Sequence, residues 1–478
     1  MNTMKHFLSH ITGQPRKALV VTLIFMLNGL NLSADTLPGR QPHLANPILP
    51  GYYADPSMVQ FNGHVYIYAT IDPWGGAMLG CWESTDFKNW TYQNLNWPTK
   101  SACTSPTSKP NMCWAPSVVH APNGKFYMFV SVGSEVWVGC ADQPLGPWHD
   151  AHGGKPLVAD GFKPGYHMID AEAFVDADGQ SYLYWGSGWN WVNGKCWAVK
   201  LKPDLASFEG EVHDVTPANY FEGPFMLKHE GHYYLMYSHG KTIEDSYQIH
   251  YAIGETPLGP FTEATNSPIL VTDLARNIRS PGHHAIFSKD GNFYILYHRH
   301  NIPFDGNFVG RQVCADELHF TAAGLIDKVF PTHEGAPIVQ GRLAGRTNLA
   351  DPANGTKVTA SSQRNPYTSP ELVLDDNYAT LWAAAPGATN AWLQLDFGHD
   401  QTFARQSLRF EYAWKAYAFT VESSADATHW TTLADFTHQP ASESPIVIES
   451  AGHARYLRVV FPHNTPETEA ALFEWMVE

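Results

Sequence analysis

Three acidic residues recur at the start of similar segments and could carry proton-transfer chemistry. Asp55, Asp170 and Glu222 each open a segment that reads as a strand, a glycine turn and an aromatic-rich strand. Ala115 and His283 open two further segments of this kind, and the five starts lie about 50–60 residues apart. Cleavage of a glycosidic bond needs two carboxyl groups, one to protonate the leaving oxygen and one to activate water or attack the sugar. A third acid can keep the proton donor protonated.

The same repeat predicts the elements that would position these acids. Three of the segments continue into a third strand, a turn and an aromatic residue that opens an outer strand, namely Trp90, Trp148 or Phe261. A four-stranded unit repeated five times predicts an all-β, five-bladed β-propeller over residues 46–335. The innermost strands of a propeller line one channel, so we expect residues at one position of the repeat to converge at its mouth. A single acid before a strand is more simply a turn cap or an arginine partner, but three at one position favour a shared site.

Four other residues are candidates for the same site. Trp74 lies in a loop after the second strand of blade one, and Trp114 lies just before the inner strand of blade two. Arg311 follows the second strand of blade five and could bind sugar hydroxyls. Core packing is the alternative for each tryptophan, and a salt bridge to one of the acids is the alternative for Arg311. His283 is a candidate metal ligand or a hydrogen-bonded core histidine.

Composition restricts the class of partner. The formal net charge is −16, which argues against nucleic acid or an anionic membrane, because a phosphate-binding protein needs a basic face. Hydrophobic residues make up 44% of the chain and aromatic residues 13%, so large cores are expected and rings are available to stack on sugars. A neutral ligand suits these properties.

The N-terminus resembles an export signal. Arg16 and Lys17 precede an apolar run over residues 18–27, and Ala34 ends a sequence suited to signal-peptidase cleavage. We therefore expect residues 1–34 to be a signal peptide, with an uncleaved anchor as the alternative, and the mature protein to be secreted or periplasmic, without a membrane segment.

Export permits disulfide bonds among the six cysteines. Six cysteines allow 15 pairings, so the sequence leaves the pairing open. Cys103 and Cys113 flank one short Ser/Thr/Pro-rich loop and are the pair that spacing favours most.

The repeat ends after Pro331. Residues 332–347 are expected to be a connector that partly completes the last blade. Short alternating strands over residues 348–478 predict a compact antiparallel β-sandwich.

Several motifs resemble glycoside hydrolase family 43 over roughly residues 46–335. They are Ala54-Asp55-Pro56-Ser57, Ile169-Asp170, Phe221-Glu222-Gly223-Pro224 and Pro281-Gly282-His283-His284. The resemblance implies an inverting hydrolase in which Asp55 is the general base, Glu222 the general acid, and Asp170 the residue that tunes and positions Glu222. It also implies Asp55 and Glu222 carboxyl groups about 6.5–9.5 Å apart, and an aromatic at Trp114 that stacks on the sugar. A calcium ion in the channel near His283 is implied as well.

The C-terminal segment resembles the discoidin, or coagulation-factor C-type, domain. The residues that carry this resemblance are those around Trp382, Trp392, Trp430 and Arg455. Sugar-binding modules of glycosidases often have this jelly-roll fold, and such domains often hold a structural calcium near the position of Asp375 and Asp376.

Three functional hypotheses follow. The first is an exo-acting glycosidase for an oligo- or polysaccharide, most simply an α-L-arabinofuranosidase acting on plant side chains, with a β-xylosidase or β-D-galactofuranosidase as alternatives. The second is a catalytically silent carbohydrate-binding lectin, which would not need all three acids. The third is a propeller interaction scaffold, which predicts a broad exposed apolar face and no converging acids.

Overall fold

The computed structural model describes residues 37–109, 111–304, 310–463 and 468–478. The predicted signal peptide, residues 1–34, lies outside the described residues. Within them, none of the helices has both the length and the apolar character needed to cross a membrane.

Five antiparallel sheets form the blades of a propeller, as predicted, and a further sheet forms the C-terminal sandwich. In chain order the propeller strands are β1 (Tyr53–Phe61), β2 (His64–Ile71), β3 (Gly80–Ser84), β4 (Thr91–Gln93), β5 (Cys113–His120), β6 (Phe126–Val132), β7 (Val136–Ala141), β8 (His149–Asp150), β9 (Glu172–Val175), β10 (Ser181–Trp185), β11 (Trp197–Leu201), β12 (Phe208–Asp214), β13 (Glu222–His229), β14 (His232–His239), β15 (Gln248–Gly254), β16 (Thr262–Glu263), β17 (Gly282–Lys289), β18 (Asn292–His300) and β19 (Arg311–Leu318). The sandwich strands are β20 (Lys357–Ala360), β21 (Trp382–Ala383), β22 (Ala391–Phe410), β23 (Thr420–Ser424), β24 (Thr431–Asp435), β25 (Ile446–Phe461) and β26 (Ala471–Val477). Short 3-10 helices span Trp189–Trp191, Leu274–Arg276, Pro337–Val339, Pro352–Asn354 and Pro370–Leu374.

The inner strand of each blade starts with a backbone irregularity at the channel mouth. Asp55, Ala115, Asp170 and His283 have φ angles of 51°, 45°, 58° and 36°, and Gly223 has 59° in blade four. A non-glycine residue in this left-handed region costs about 1–3 kcal/mol and persists where its surroundings hold it. A bulge at such a point changes the direction of the side chains. The strained backbone therefore lies where the site forms.

The position of Glu222 in the repeat differs from the sequence prediction by one residue. Glu222 pairs with Ser238 across blade four as Ala54 pairs with Thr70 in blade one. Gly223, and not Glu222, therefore occupies the position of Asp55. The prediction that all three acids share one position was wrong, because gapless matching of the segments cannot detect a one-residue shift.

Hydrogen bonds between blades fix the starts of the inner strands. The backbone N–H groups of three of these first residues donate to a hydroxyl on the second strand of the preceding blade: Ala115 to Thr70 Oγ1 (2.8 Å), Asp170 to Ser131 Oγ (2.9 Å) and His283 to Ser238 Oγ (2.9 Å). The N–H of Asp55 closes the circle by donating to His298 Nδ1 at 3.3 Å.

Apolar clusters lie between neighbouring blades and hold the ring together. The cluster between blades one and two contains Tyr68 and Trp137, and the cluster between blades five and one contains Trp82 and Leu296. These four side chains are fully buried.

Blade five has three strands, and irregular segments cover its outer edge. The N–H of Ile48 donates to Val313 O at 2.9 Å, and the N–H of Ala336 donates to Ala315 O at 2.8 Å. The expected role of residues 332–347 in completing the last blade is therefore shared with residues near the start of the described chain.

The C-terminal sandwich forms because two long strands pass through both of its layers. The first part of β22 pairs with β20, and its last part pairs with β26, while β25 accompanies it along most of its length. The register is interrupted between Asp396 and Gln401, where the sheet folds over its core, which includes Trp382.

Polar contacts attach the sandwich to the propeller. Arg342 of the connector donates to Asp376 Oδ1 at 2.9 Å, and Asn377 Nδ2 donates to Gly39 O at 3.0 Å. Trp414 packs edge-on against Tyr53 of blade one at 5.9 Å.

All six cysteines are free thiols in the structure. The expected Cys103–Cys113 disulfide is therefore not formed, although both residues are buried.

Candidate active site

A pocket of about 230 Å³ opens at the mouth of the propeller channel. All seven residues singled out from the sequence line it: Asp55, Asp170, Glu222, Trp74, Trp114, Arg311 and His283. They come from all five blades: the starts of the inner strands supply the three acids, Trp114 and His283, while Trp74 lies in the loop after β2 and Arg311 begins β19.

Asp55 is held as a carboxylate. Arg311 Nη1 donates to Asp55 Oδ1 at 2.9 Å, and Thr70 Oγ1 donates to Asp55 Oδ2 at 2.7 Å. His283 Nδ1 lies 3.2 Å from Asp55 Oδ1. Burial by itself would raise the pKa of Asp55, but the charges of Arg311 and His283 and the hydrogen bonds outweigh it and hold this pKa well below its usual range.

Glu222 has the opposite protonation preference. Its Oε1 accepts a hydrogen bond from Tyr247 Oη at 2.8 Å, and its Oε2 accepts one from Ser187 Oγ at 2.9 Å. Burial raises the pKa of Glu222, and the charge on Asp55 adds to this, while the two hydrogen bonds and His283 work against it.

Asp170 and His283 lie in the same cluster, with His283 Nδ1 3.7 Å from Asp170 Oδ2. Burial raises the pKa of Asp170 to about 8, opposed by His283 and supported by the charges on Glu222 and Asp55. Burial lowers the pKa of His283, but Asp55 and Asp170 overcome this and raise it to about 9. At neutral pH the imidazolium of His283 therefore stabilises negative charge in the site.

Arg311 is shared between two buried carboxylates. Besides Asp55 it binds Asp72, to which its Nη2 donates at 2.7 Å and its backbone N at 2.7 Å. The guanidinium carbon lies 5.1 Å from the centre of the Trp74 ring. Arg311 therefore forms a salt bridge with an acid of the site, which was the alternative to sugar binding considered for it. Asp72 was not among the residues predicted from the sequence, although it lies close to Trp74 in the same loop.

Aromatic residues form the pocket walls. Trp114 is the second residue of β5 rather than preceding it, and its ring meets His167 edge-on at 6.2 Å. Trp189 stacks on His167 at 4.0 Å and is 46% exposed. Trp189 and Trp191 were missed, yet they follow the second strand of blade three as Trp74 follows that of blade one, so the repeat itself could have found them.

The expected calcium sites, near His283 and near Asp375 and Asp376, stay predictions. No group of three or more His, Cys, Asp or Glu residues in the described part of the chain is arranged to hold a metal ion. Asp376 is paired with Arg342, and Asp375 accepts a hydrogen bond from Thr380 at 2.7 Å.

The site thus presents an ionised carboxylate, Asp55, and a carboxyl group with a raised pKa, Glu222, on the walls of a single small pocket. That pairing can remove a proton from water and donate a proton to a leaving oxygen.

Comparisons with known proteins agree with this chemistry. Residues 44–326 match Glycosyl hydrolases family 43, and residues 357–475 match the F5/8 type C domain. A β-D-galactofuranosidase from Aspergillus niger is 35% identical over 65% of this chain and 91% of its own length. An arabinoxylan arabinofuranohydrolase from Bacillus subtilis is 28% identical over 66% of this chain and 70% of its own.

A solved glycoside hydrolase structure superimposes over 92% of this chain and 100% of its own, with a TM-score of 0.76 and 26% identity. The family match covers more than half of the sequence, and the propeller and the pocket acids fit it. The chain is a glycoside hydrolase that belongs to family 43.

Proposed function

We propose that the protein is an exo-acting, inverting α-L-arabinofuranosidase that removes terminal arabinofuranose from polysaccharide side chains. The observation that carries this proposal is the opposite protonation preference of Asp55 and Glu222 in one pocket of about 230 Å³. A pocket of that size suits a single sugar residue rather than a continuous chain.

In the proposed mechanism Asp55 takes a proton from the attacking water while Glu222 protonates the leaving oxygen. Asp170 keeps Glu222 protonated, because a second acid close by disfavours ionisation of both. His283 and Arg311 keep Asp55 ionised. The strongly lowered pKa makes Asp55 a weak base, which is the consequence of keeping it charged in a buried site. The Asp55–Glu222 carboxyl separation of about 6.5–9.5 Å that inversion requires stays a prediction.

β-D-Galactofuranose is the second candidate substrate. The Aspergillus niger relative that supports it is 35% identical over 91% of its own length. Both sugars are five-membered rings of similar shape, so the pocket acids would act on either. The walls formed by Trp74 and Trp114 would decide between them.

The C-terminal domain is proposed to bind the polysaccharide and to raise the local substrate concentration for the pocket. Export is proposed from the signal-like sequence of residues 1–34. Mass spectrometry of the protein purified from its host should find a mature N-terminus near Asp35, and an intact residue 1–34 segment would refute export by cleavage.

Release of 4-nitrophenol from the α-L-arabinofuranoside, β-D-galactofuranoside and β-D-xyloside tests the assignment. We expect the arabinofuranoside to be the best substrate, Glu222→Gln to lose about 10²–10⁴-fold in kcat, and proton NMR to show the inverted anomer first. Galactofuranoside hydrolysis alone would favour the second candidate.

Glu172→Gln is the matched control for the Glu222 variant. Glu172 is a similarly buried acid whose pKa burial raises to about 8, and its partner is Ser117 at 2.8 Å. It is absent from the lining of the pocket, so its variant should keep activity. Release from none of the glycosides, or unchanged activity in Glu222→Gln, would refute the proposal.

A further inference from the structure

A second cavity lies between the propeller and the C-terminal domain. It has a volume of about 420 Å³ and is lined by residues 89–91 of blade one, by Arg342 and Arg346 of the connector, and by side chains of β22 and β26. This volume falls in the range of about 300–1,000 Å³ that is typical of small-molecule sites, which often lie between domains. It shares no lining residue with the pocket at the channel mouth.

Three of the four arginines that line this cavity are neutralised by carboxylates. Arg342 binds Asp376 at 2.9 Å, and Arg346 and Arg405 bind Glu478 at 3.2 and 3.3 Å. Their charges are therefore largely compensated within the protein.

Arg409 is the exception. It is only 9% exposed, and the hydrogen bond it donates is to Ser444 Oγ, at 3.2 Å from Nη1. Among the described residues no carboxylate lies within 4 Å of its guanidinium, and the nearest aromatic ring, Tyr378, is 5.6 Å away. An arginine does not lose its proton in a protein, so this is a buried charge without a counter-charge, which is costly.

Glu474, the neighbour of Arg409 on β26, forms no ion pair with it within 4 Å. The two residues are opposite each other in the sheet, but burial and the nearby Asp375 and Asp376 raise the pKa of Glu474 well above its usual range. Its Oε1 accepts a hydrogen bond from the backbone N of Asn377 at 2.9 Å. The cavity lining holds four arginines against three acidic side chains, Asp376, Glu474 and Glu478, which is an excess of positive charge in a chain whose net charge is −16.

We propose that this cavity binds one carboxylate-bearing sugar, a uronic acid unit of the polysaccharide, with its carboxylate on Arg409. The planar guanidinium fork matches a carboxylate in two-point geometry. The uncharged polar side chains of Asn89, Thr91 and Ser407 in the lining can meet the sugar hydroxyls. Because the ligand would touch blade one and β22 together, it would also fix the two domains relative to each other.

The test is calorimetric titration of the full-length protein with glucuronic acid, glucose, acetate and sulfate. We expect saturable binding of glucuronic acid, at least tenfold weaker binding of the other three, and a rise in melting temperature with glucuronic acid alone. Arg409→Gln should lose at least tenfold in affinity, and Arg455→Gln, in which an exposed arginine paired with Asp396 is removed, should lose nothing.

Two further variants keep the result decisive. Thr91→Glu adds a negative charge at the exposed propeller edge of the cavity without altering Arg409, so it should weaken binding even if Arg409→Gln fails to fold. Glu222→Gln should bind glucuronic acid normally, which separates this site from the pocket at the channel mouth. Absence of saturable binding, equal binding of acetate or sulfate, or full affinity in Thr91→Glu would each overturn the proposal.

Discussion

Replacing Tyr247 by Phe tests whether Glu222 is the proton donor, by changing its pKa without touching its side chain. Tyr247 Oη donates to Glu222 Oε1 at 2.8 Å, and Tyr247 does not line the pocket. Its ring stacks on His298 with centres 5.7 Å apart, a contact that phenylalanine can keep. The variant therefore removes the hydrogen bond to Glu222 and keeps the stacking contact.

The size of the effect follows from that bond. A hydrogen bond to a charged group contributes about 1.5–3 kcal/mol, and one to the neutral acid about 1 kcal/mol. The difference favours the carboxylate by about 0.5–2 kcal/mol, and about 1.4 kcal/mol equals one pKa unit. Tyr247→Phe should therefore raise the pKa of Glu222 by about one unit.

The assay is the pH dependence of kcat/KM on the best 4-nitrophenyl glycoside. The basic limb reports loss of the proton from the acid in the free enzyme, so it should move up by about one pH unit while the acidic limb stays in place. Ser187→Ala, which removes the bond to Oε2, should shift the limb in the same direction. Tyr237→Phe is the matched control, because its buried hydroxyl donates to Ala218 O at 2.6 Å and not to Glu222.

A basic limb that stays in place or moves down in Tyr247→Phe would refute this reasoning. Because Glu222 and Asp170 titrate together, the limb belongs to the pair. The sign of the shift still identifies the carboxyl group that the hydroxyl contacts.

Three other perturbations have defined outcomes. Arg311→Gln is combined with Asp72→Asn so that Asp72 is not left as a buried carboxylate without its partner. The double variant should raise the pKa of Asp55 and move the acidic limb up by about 1–3 pH units. Asp72→Asn alone is the control, and an acidic limb that does not move in the double variant would contradict the role of Asp55. Asp170→Asn should lower kcat at least tenfold and yet raise the thermal midpoint more at pH 7 than at pH 5. The pKa of Asp170 is about 8 in the folded chain and near 3.8 when unfolded. Between these two pKa values the unfolded chain binds fewer protons than the folded chain, so the stability of the native protein falls as pH rises. Calorimetry that shows the same gain in thermal midpoint at both pH values would disprove this. Trp189→Ala should raise KM for arabinoxylan oligosaccharides about 3–10-fold and change KM for the 4-nitrophenyl glycoside little, because the exposed ring is placed to contact the polysaccharide beyond the sugar in the pocket. Equal changes in KM for both substrates would argue against that contact.

The sequence by itself determined the propeller, the sandwich and the convergence of seven residues on one pocket. The repeat length and the strand pattern are local properties of the sequence. A closed ring of repeats brings the starts of the inner strands to one axis, independently of the conformation of the loops. That is why the sequence alone predicts that Asp55, Asp170, Glu222 and His283 lie together.

The tertiary structure decided the register of Glu222, the covering of the edge of blade five and the charge states in the pocket. A shift of one residue depends on how β13 pairs with β14, and segment matching cannot sense that pairing. The pKa differences arise because Arg311 approaches Asp55 from blade five, while Tyr247 and Ser187 reach Glu222 from blades four and three. The unpaired Arg409 has the same kind of origin: whether a buried charge finds a partner depends on distances across a domain interface, which no local pattern in the sequence encodes.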